Sequence, residues 1–367
     1  MAPSRILDSH IHLWPSTATT SSNHAWMTEG HQLARRHGIA DYKAVANPKP
    51  SGFVYVETDR YLPSTSPEID AGDSEESRKR KLAEWAKEPL EEVKFLRRIV
   101  EDKSQEGDGF ESGDGDLFKG AVIWAPFHLP PTLFSDYLNL AEQTSGPALW
   151  QRVAGFRYLL QGKGEGEVKR LVESEDWLNN IVPLRNGRDG KGWVFDVGID
   201  THRDGVEQAE HVGAMINEVR KREEASSQHG HVRFVLNHLC KAPLSTTPSP
   251  HQRWTAALNQ LAADTNVFMK LSGAFNEFAD QSTPDNVPAV VGALNPFLNH
   301  VFTCFPERVM FGSDWPVCNV GGPRGQGGNW GFWVEIVDEY LGQKRLSEKE
   351  RERVWWGAGA EAYGVEL

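Results

Sequence analysis

A chain of 367 residues with 39% apolar, 25% charged and 10% aromatic residues, 13 of them Trp, has ample material for a core, which excludes wholesale disorder. Thirty-nine basic against 51 acidic residues leave a formal charge of −12, which argues against binding a nucleic-acid backbone or an anionic membrane surface. Cys240, Cys304 and Cys318 imply no disulfide framework, no stretch approaches ~18 consecutive apolar residues, and Met1–Asp8 lacks the apolar core of a secretory signal, so a cytoplasmic protein is expected.

In chain order, eight short runs rich in β-branched and aromatic residues read as buried strands: Ile6–Leu7, Phe53–Val56, Ala121–Trp124, Val153–Phe156, Val194–Val197, Val232–Leu236, Val267–Leu271 and Val309–Phe311. Helix-like segments separate the later runs. Val206 to Arg222 carries Val212, Met215, Ile216 and Val219 at helical spacing, and Gln252 to Ala263 and Val287 to Phe302 read alike. Eight strands alternating with helices predict an α/β fold, a (β/α)8 barrel spanning residues 1–367 as one domain. A doubly wound open sheet is the competing architecture, and the count of eight favours closure.

The stretch Ser64–Asp116 is expected to be a charged, partly flexible insertion after the second strand. Within it Ser77 to Glu101 reads as helical with a break at Pro89. The Gly/Asp-rich tail Glu106–Asp116 lacks the full twelve-residue calcium pattern and reads as a solvated loop.

In a barrel the reacting groups come from the C-terminal ends of the strands. The first strand ends Asp8-Ser9-His10-Ile11-His12, and strict alternation would put Asp8, His10 and His12 on one face. A lone pair of histidines on a strand is usually core packing. Here His238 ends the sixth strand and Asp314 the eighth, at the same mouth, and three histidines with a carboxylate converging there point to chemistry. His229 and His231 precede the sixth strand and belong to the opposite end. Cys240, beside His238, reads as a small buried side chain. No G-x-S-x-G elbow is present, and Gly162–Gly166 is neither a Walker loop nor a dinucleotide fingerprint.

His10-Ile11-His12-Leu13-Trp14, Gly155-Phe156-Arg157, Asn237-His238-Leu239-Cys240-Lys241-Ala242-Pro243, Met269-Lys270-Leu271-Ser272-Gly273 and Phe311-Gly312-Ser313-Asp314-Trp315-Pro316 occur in this order. Together they resemble the amidohydrolase-2 branch of the amidohydrolase superfamily, within it the sugar-lactonase and 2-pyrone-4,6-dicarboxylate lactonase group. The resemblance implies a distorted TIM barrel that opens the lactone ring of a sugar acid, such as L-rhamnono-, L-fucono- or galactono-lactone. It implies Asp314 as general base with His238, His10 and His12 as catalytic partners. It also places basic residues at Arg157 and Lys241, which are candidates to hold the substrate. Trp14, Trp315, Glu57 and His128 are further candidate substrate contacts by adjacency to the mouth. The fifth strand offers no histidine ligand, which argues against a binuclear centre. The expectation is therefore no required cofactor, or a single divalent cation, zinc by preference, on His10, His12 and Asp314. The expected partner is a small-molecule lactone, with neither nucleic acid nor membrane. The alternatives are a metal-dependent decarboxylase of an aromatic or unsaturated acid and a non-catalytic sugar-acid binder.

Overall fold

The computed structural model describes residues 3, 5–70, 72–164, 166–226, 229–244, 251–278 and 282–367. Each of the eight expected runs is a parallel strand: β1 (Leu7–Ile11), β2 (Gly52–Val56), β3 (Phe118–Trp124), β4 (Val153–Arg157), β5 (Val194–Val197), β6 (Arg233–Leu236), β7 (Val267–Leu271) and β8 (Val309–Phe311). They pair in sequence order, so every connection is a crossover to the neighbouring strand. The ring closes just past the end of β8, where the Asp314 N–H donates to His10 O and the His12 N–H donates to Trp315 O, each at 2.8 Å.

Inward-facing Val54, Val122, Val194, Val235, Phe268 and Met310 pack the barrel interior, one from each of six strands. Ala358, Ala362 and Tyr363 join this cluster, so the last helix (Ala358–Tyr363) plugs the end at which the strands begin. That leaves the opposite end open. The outer layer contains the expected helices as Glu207–Glu224, Gln252–Ala262 and Val287–Cys304. The last is long and apolar enough by composition to cross a membrane. Its Val290, Val291, Leu294, Phe297, Leu298 and Val301 nevertheless form one buried stripe at helical spacing.

The segment 64–116 is less of an insertion than its polarity suggests. It holds two helices, Glu75–Trp85 and Lys87–Val100, joined at Ala86 and not broken at Pro89. Pro89 lies in the first turn of the second helix, where a missing N–H breaks no intrahelical bond. That helix is the barrel's own β2–β3 crossover and buries Leu90, Val93, Phe95, Leu96 and Ile99. Its Glu92, also buried, accepts hydrogen bonds from Tyr55 Oη (2.8 Å), Thr58 N (3.0 Å) and Thr58 Oγ1 (2.5 Å), tying the crossover to the end of β2. The Gly/Asp tail is irregular, but two of its carboxylates turn inward. Asp108 receives two bonds from Arg98, and Asp114 one from Lys43.

Candidate active site

The pairing of β1 with β2 slips between Asp8 and Ile11, and this breaks the alternation of β1. Asp8 therefore faces the helix layer, where it accepts bonds from Ser313 N (2.7 Å), Tyr42 Oη (2.8 Å) and Trp330 Nε1 (2.9 Å). His10 and His12 face the open mouth. The expectation of a shared face for all three residues is thus corrected, since strict alternation holds only for an unbulged strand.

His10, His12, His238 and Asp314 do converge. His10 Nε2 and His12 Nε2 are 3.2 Å apart, and Asp314 Oδ1 lies 3.6, 3.4 and 3.8 Å from the Nε2 atoms of His10, His12 and His238. All four side chains are buried. Asp314 and His238 both have left-handed backbone, with φ 60° and 52°, conformations that cost ordinary residues energy and are concentrated at functional sites. The His238 ring needs Gly273 beside it, because a Cβ there would lie 2.6 Å from His238 Nδ1.

Hydrogen bonds fix the tautomers. His12 Nδ1 donates to Val56 O at 2.8 Å, which leaves its Nε2 lone pair facing Asp314 and His10. His10 Nδ1 lies 3.1 Å from Lys270 Nζ, whose other bonds run to Asp196 at 2.9 and 3.2 Å. An ammonium can only donate, so His10 Nδ1 accepts and its proton sits on Nε2, pointing at His12 Nε2. Asp196 is held from below by Tyr363 Oη at 2.6 Å. His238 Nδ1 meets Ser272 Oγ at 2.9 Å.

Burial pushes His238 down to about 4 against the opposing pull of Asp314, and pushes Lys270 down to about 8 against that of Asp196. Burial, with Lys270 adding to it, also holds His10 well below the usual imidazole value. Burial alone would raise Asp314, but His238, His12 and Lys241 outweigh it and hold the carboxyl below its ordinary range. At neutral pH the site holds an ionised carboxylate beside the neutral imidazoles of His10 and His238, with a buried ammonium beneath.

Above the cluster opens a cavity of about 330 Å³. His12, His238 and Asp314 form part of its wall. Trp14, Trp26, Leu33, Val317 and Val320 give it an apolar side, while Asp59, Arg157, Gln161, Lys241 and Asn276 give it a polar one. Trp14, Arg157 and Lys241 are thus where they were expected. Both cations are already engaged: Arg157 binds the Glu57 carboxylate and the Glu57 carbonyl, and Lys241 lies 3.5 Å from Asp200.

Three expected contacts do not line this cavity. Glu57 is fully buried behind Arg157. Trp315 packs in the outer layer against His37 and Tyr42, because the residue follows the left-handed turn at Asp314. His128 donates to or accepts no cavity group; its Nε2 lies 2.7 Å from Thr65 O and its ring packs on Tyr158. Cys240 is buried, which pushes its thiol up to about 12, consistent with an inert filler. His231 is tied to Glu223 away from the cluster. Sequence reasoning missed Lys270, Asp196 and Asp59. Lys270 carried a legible signal, a lysine at an inward position of a strand two residues after the inward Phe268.

Comparison with known proteins agrees with this geometry. A family model described as amidohydrolase matches residues 219–365, which hold β6, β7, β8, His238 and Asp314. An L-rhamnono-gamma-lactonase of Scheffersomyces stipitis aligns over the whole of both chains at 26% identity. In both respects the chain is similar to the amidohydrolase-2 lactonase group. An L-fucono-1,5-lactonase of Burkholderia multivorans is 29% identical over 61% of this chain and 70% of its own. Among solved structures, an amidohydrolase of Burkholderia multivorans with bound Zn superposes with a TM-score of 0.67 at 22% identity, covering 99% of this chain and 100% of that one. At that identity the likeness speaks for the barrel alone.

Tetrahedral zinc with ligands at about 2.0–2.1 Å requires donor atoms about 3.3 Å apart. His10, His12 and Asp314 present theirs at 3.2, 3.4 and 3.6 Å. The set fits one ion, provided His10 gives up its Nε2 proton. Among the described residues no second such group occurs.

Proposed function

We propose that this chain hydrolyses the ring ester of a sugar-acid lactone, with L-rhamnono- and L-fucono-lactones as the first candidates. The observation that carries the reading is the convergence of His12, His238 and Asp314, backed by His10, on one cavity that has an apolar side and a polar side. The full-length alignment with an L-rhamnono-gamma-lactonase supports the same reaction.

Asp314 Oδ1 takes a proton from a water, whose oxygen forms the new bond to the lactone carbonyl carbon. The carbonyl π electrons move onto oxygen, and the His238 imidazole N–H stabilises that charge. The carbonyl then re-forms, the bond to the ring oxygen breaks, and the proton held by Asp314 passes to the departing alkoxide. The product is the open-chain hydroxy acid, which ionises and releases a proton to solution. His12, fixed by Val56 O, accepts the His10 Nε2–H on its own Nε2 lone pair and so keeps both rings in place beside Asp314. When a single divalent ion is held by His10, His12 and Asp314, it supplies Lewis-acid polarisation of the carbonyl. Elemental analysis should give at most one tightly held divalent ion per chain, and two would contradict this donor count.

The test is proton release measured across a panel of aldonolactones, with the open acid verified by NMR. Absence of acid release from every lactone at saturating concentration would reject the reading. Release of carbon dioxide from aromatic acids instead would point to decarboxylation.

A further inference from the structure

Resting on the lactonase reading, we infer that Asp59 is a specificity-determining residue that accepts hydrogen bonds from the substrate's ring or side-chain hydroxyls. Asp59 follows β2 by three residues and lines the cavity. It also lines an adjoining groove with Gln161, Lys241 and Asn276.

Three observations set it apart. First, its backbone is left-handed, with φ 53°, a conformation that costs a residue bearing a Cβ and is tolerated best by Asn and Asp. Second, that conformation is held from a buried anchor. The Asp59 N–H donates to Glu57 Oε2 at 2.6 Å, and Glu57 is itself clamped by Arg157. Third, the Asp59 carboxylate makes no hydrogen bond or ion pair with the protein among the described residues, although Lys241 pairs with Asp200, and Arg203 nearby pairs with both Asp200 and Glu277. Lys241 and Arg203 are thus paired elsewhere and Lys163 lies over the Tyr158 ring, while the Asp59 carboxylate keeps its lone pairs open.

A carboxylate with free lone pairs in a half-enclosed cavity is an acceptor for neighbouring O–H donors and repels a second anion. This favours a neutral, polyhydroxylated lactone over one that carries a carboxylate on that side. Asp59 does not take part in bond making. Asp314 is the carboxylate among the imidazoles, and Asp59 acts on which ring is held there.

Asp59→Gly removes the acceptor and suits the left-handed backbone, and Asp59→Asn keeps the shape but exchanges an acceptor for a donor. For each variant, KM and kcat are measured with a fully hydroxylated aldonolactone and with an analogue lacking the side-chain hydroxyls, alongside thermal denaturation. The expected result is KM for the hydroxylated substrate raised roughly ten- to hundredfold, the usual range for a hydrogen bond to a charged group. Turnover, melting temperature and KM for the deoxy analogue should be little changed. Equal losses on both substrates, or a fall in kcat alone, would make Asp59 structural or catalytic and overturn the inference. An unaltered KM on both would overturn it too. If the wild-type protein hydrolyses no lactone, the lactonase reading fails first and this inference with it.

Discussion

His10, Lys270 and Asp196 stand on strands bonded into the barrel on both sides, whereas Asp59, Gln161 and Asn276 stand on connections beyond the strand ends. The first group is completely buried and satisfied by named partners. Asp59 is exposed to the cavity, and its carboxylate is open. The floor of the cavity is pre-organised at the cost of rigidity, which suits groups that must meet a transition state. The rim is carried by loops that can change without disturbing the barrel. Changes in the floor should therefore appear in kcat, and changes in the rim in KM.

The largest effect should come from Asp314. Asp314→Asn preserves size and hydrogen bonding but removes basicity, and kcat should fall by roughly 10²–10⁴-fold with little change in KM. Turnover close to wild type in a folded Asp314→Asn protein would place the base elsewhere.

Next comes His238→Asn, which removes one stabiliser of the oxyanion. A loss of about 3 kcal/mol in the barrier, about a hundredfold in kcat, is expected from steady-state kinetics. A change confined to KM would move His238 from the floor's role to that of the rim.

The buried ammonium yields a smaller effect with a distinctive signature. His238 takes up a proton near pH 4, and Asp314 does so below its ordinary carboxyl range, so kcat should fall as pH drops through about 4. Lys270 is protonated below about 8 and loses its charge above, so its bonds to His10 and Asp196 weaken and kcat should fall again as pH rises through about 8. Lys270→Met combined with Asp196→Asn removes the pair together and avoids stranding a buried charge. This double variant should cost roughly tenfold in kcat and lose the alkaline fall. Retention of that fall in the variant would mean another group controls it.

The smallest effect belongs to the rim. Asn276→Ala should raise KM roughly two- to tenfold, the range of one neutral hydrogen bond, while kcat holds. A loss in kcat as large as that of His238→Asn would erase the distinction between floor and rim.

Much of the floor was legible in the sequence. Short apolar runs ending in polar residues marked all eight strands, and the rule that barrel chemistry sits at strand C-termini selected His10, His12, His238 and Asp314. The errors came where local pattern and three-dimensional path part company. The helical break expected at Pro89 falls at Ala86, and the helix that follows is the barrel's own crossover. Adjacency in sequence suggested Trp315, yet one left-handed residue before it sends the ring outward. Glu57 ends a strand at the mouth but is consumed by Arg157, and His128 is drawn aside to Thr65 O.

By itself, then, the sequence determined the strand count, the crossover order and the residues of the histidine–aspartate cluster, because hydrophobic periodicity and strand ends are local properties. Only the tertiary structure decided which donors are still free. The slip in β1 divides Asp8 from His10, Lys270 reaches His10 across 260 positions of chain, and Arg157 reaches Glu57 across 100. Whether a charged group serves the fold or faces a ligand depends on partners distant in sequence, and no local pattern encodes them.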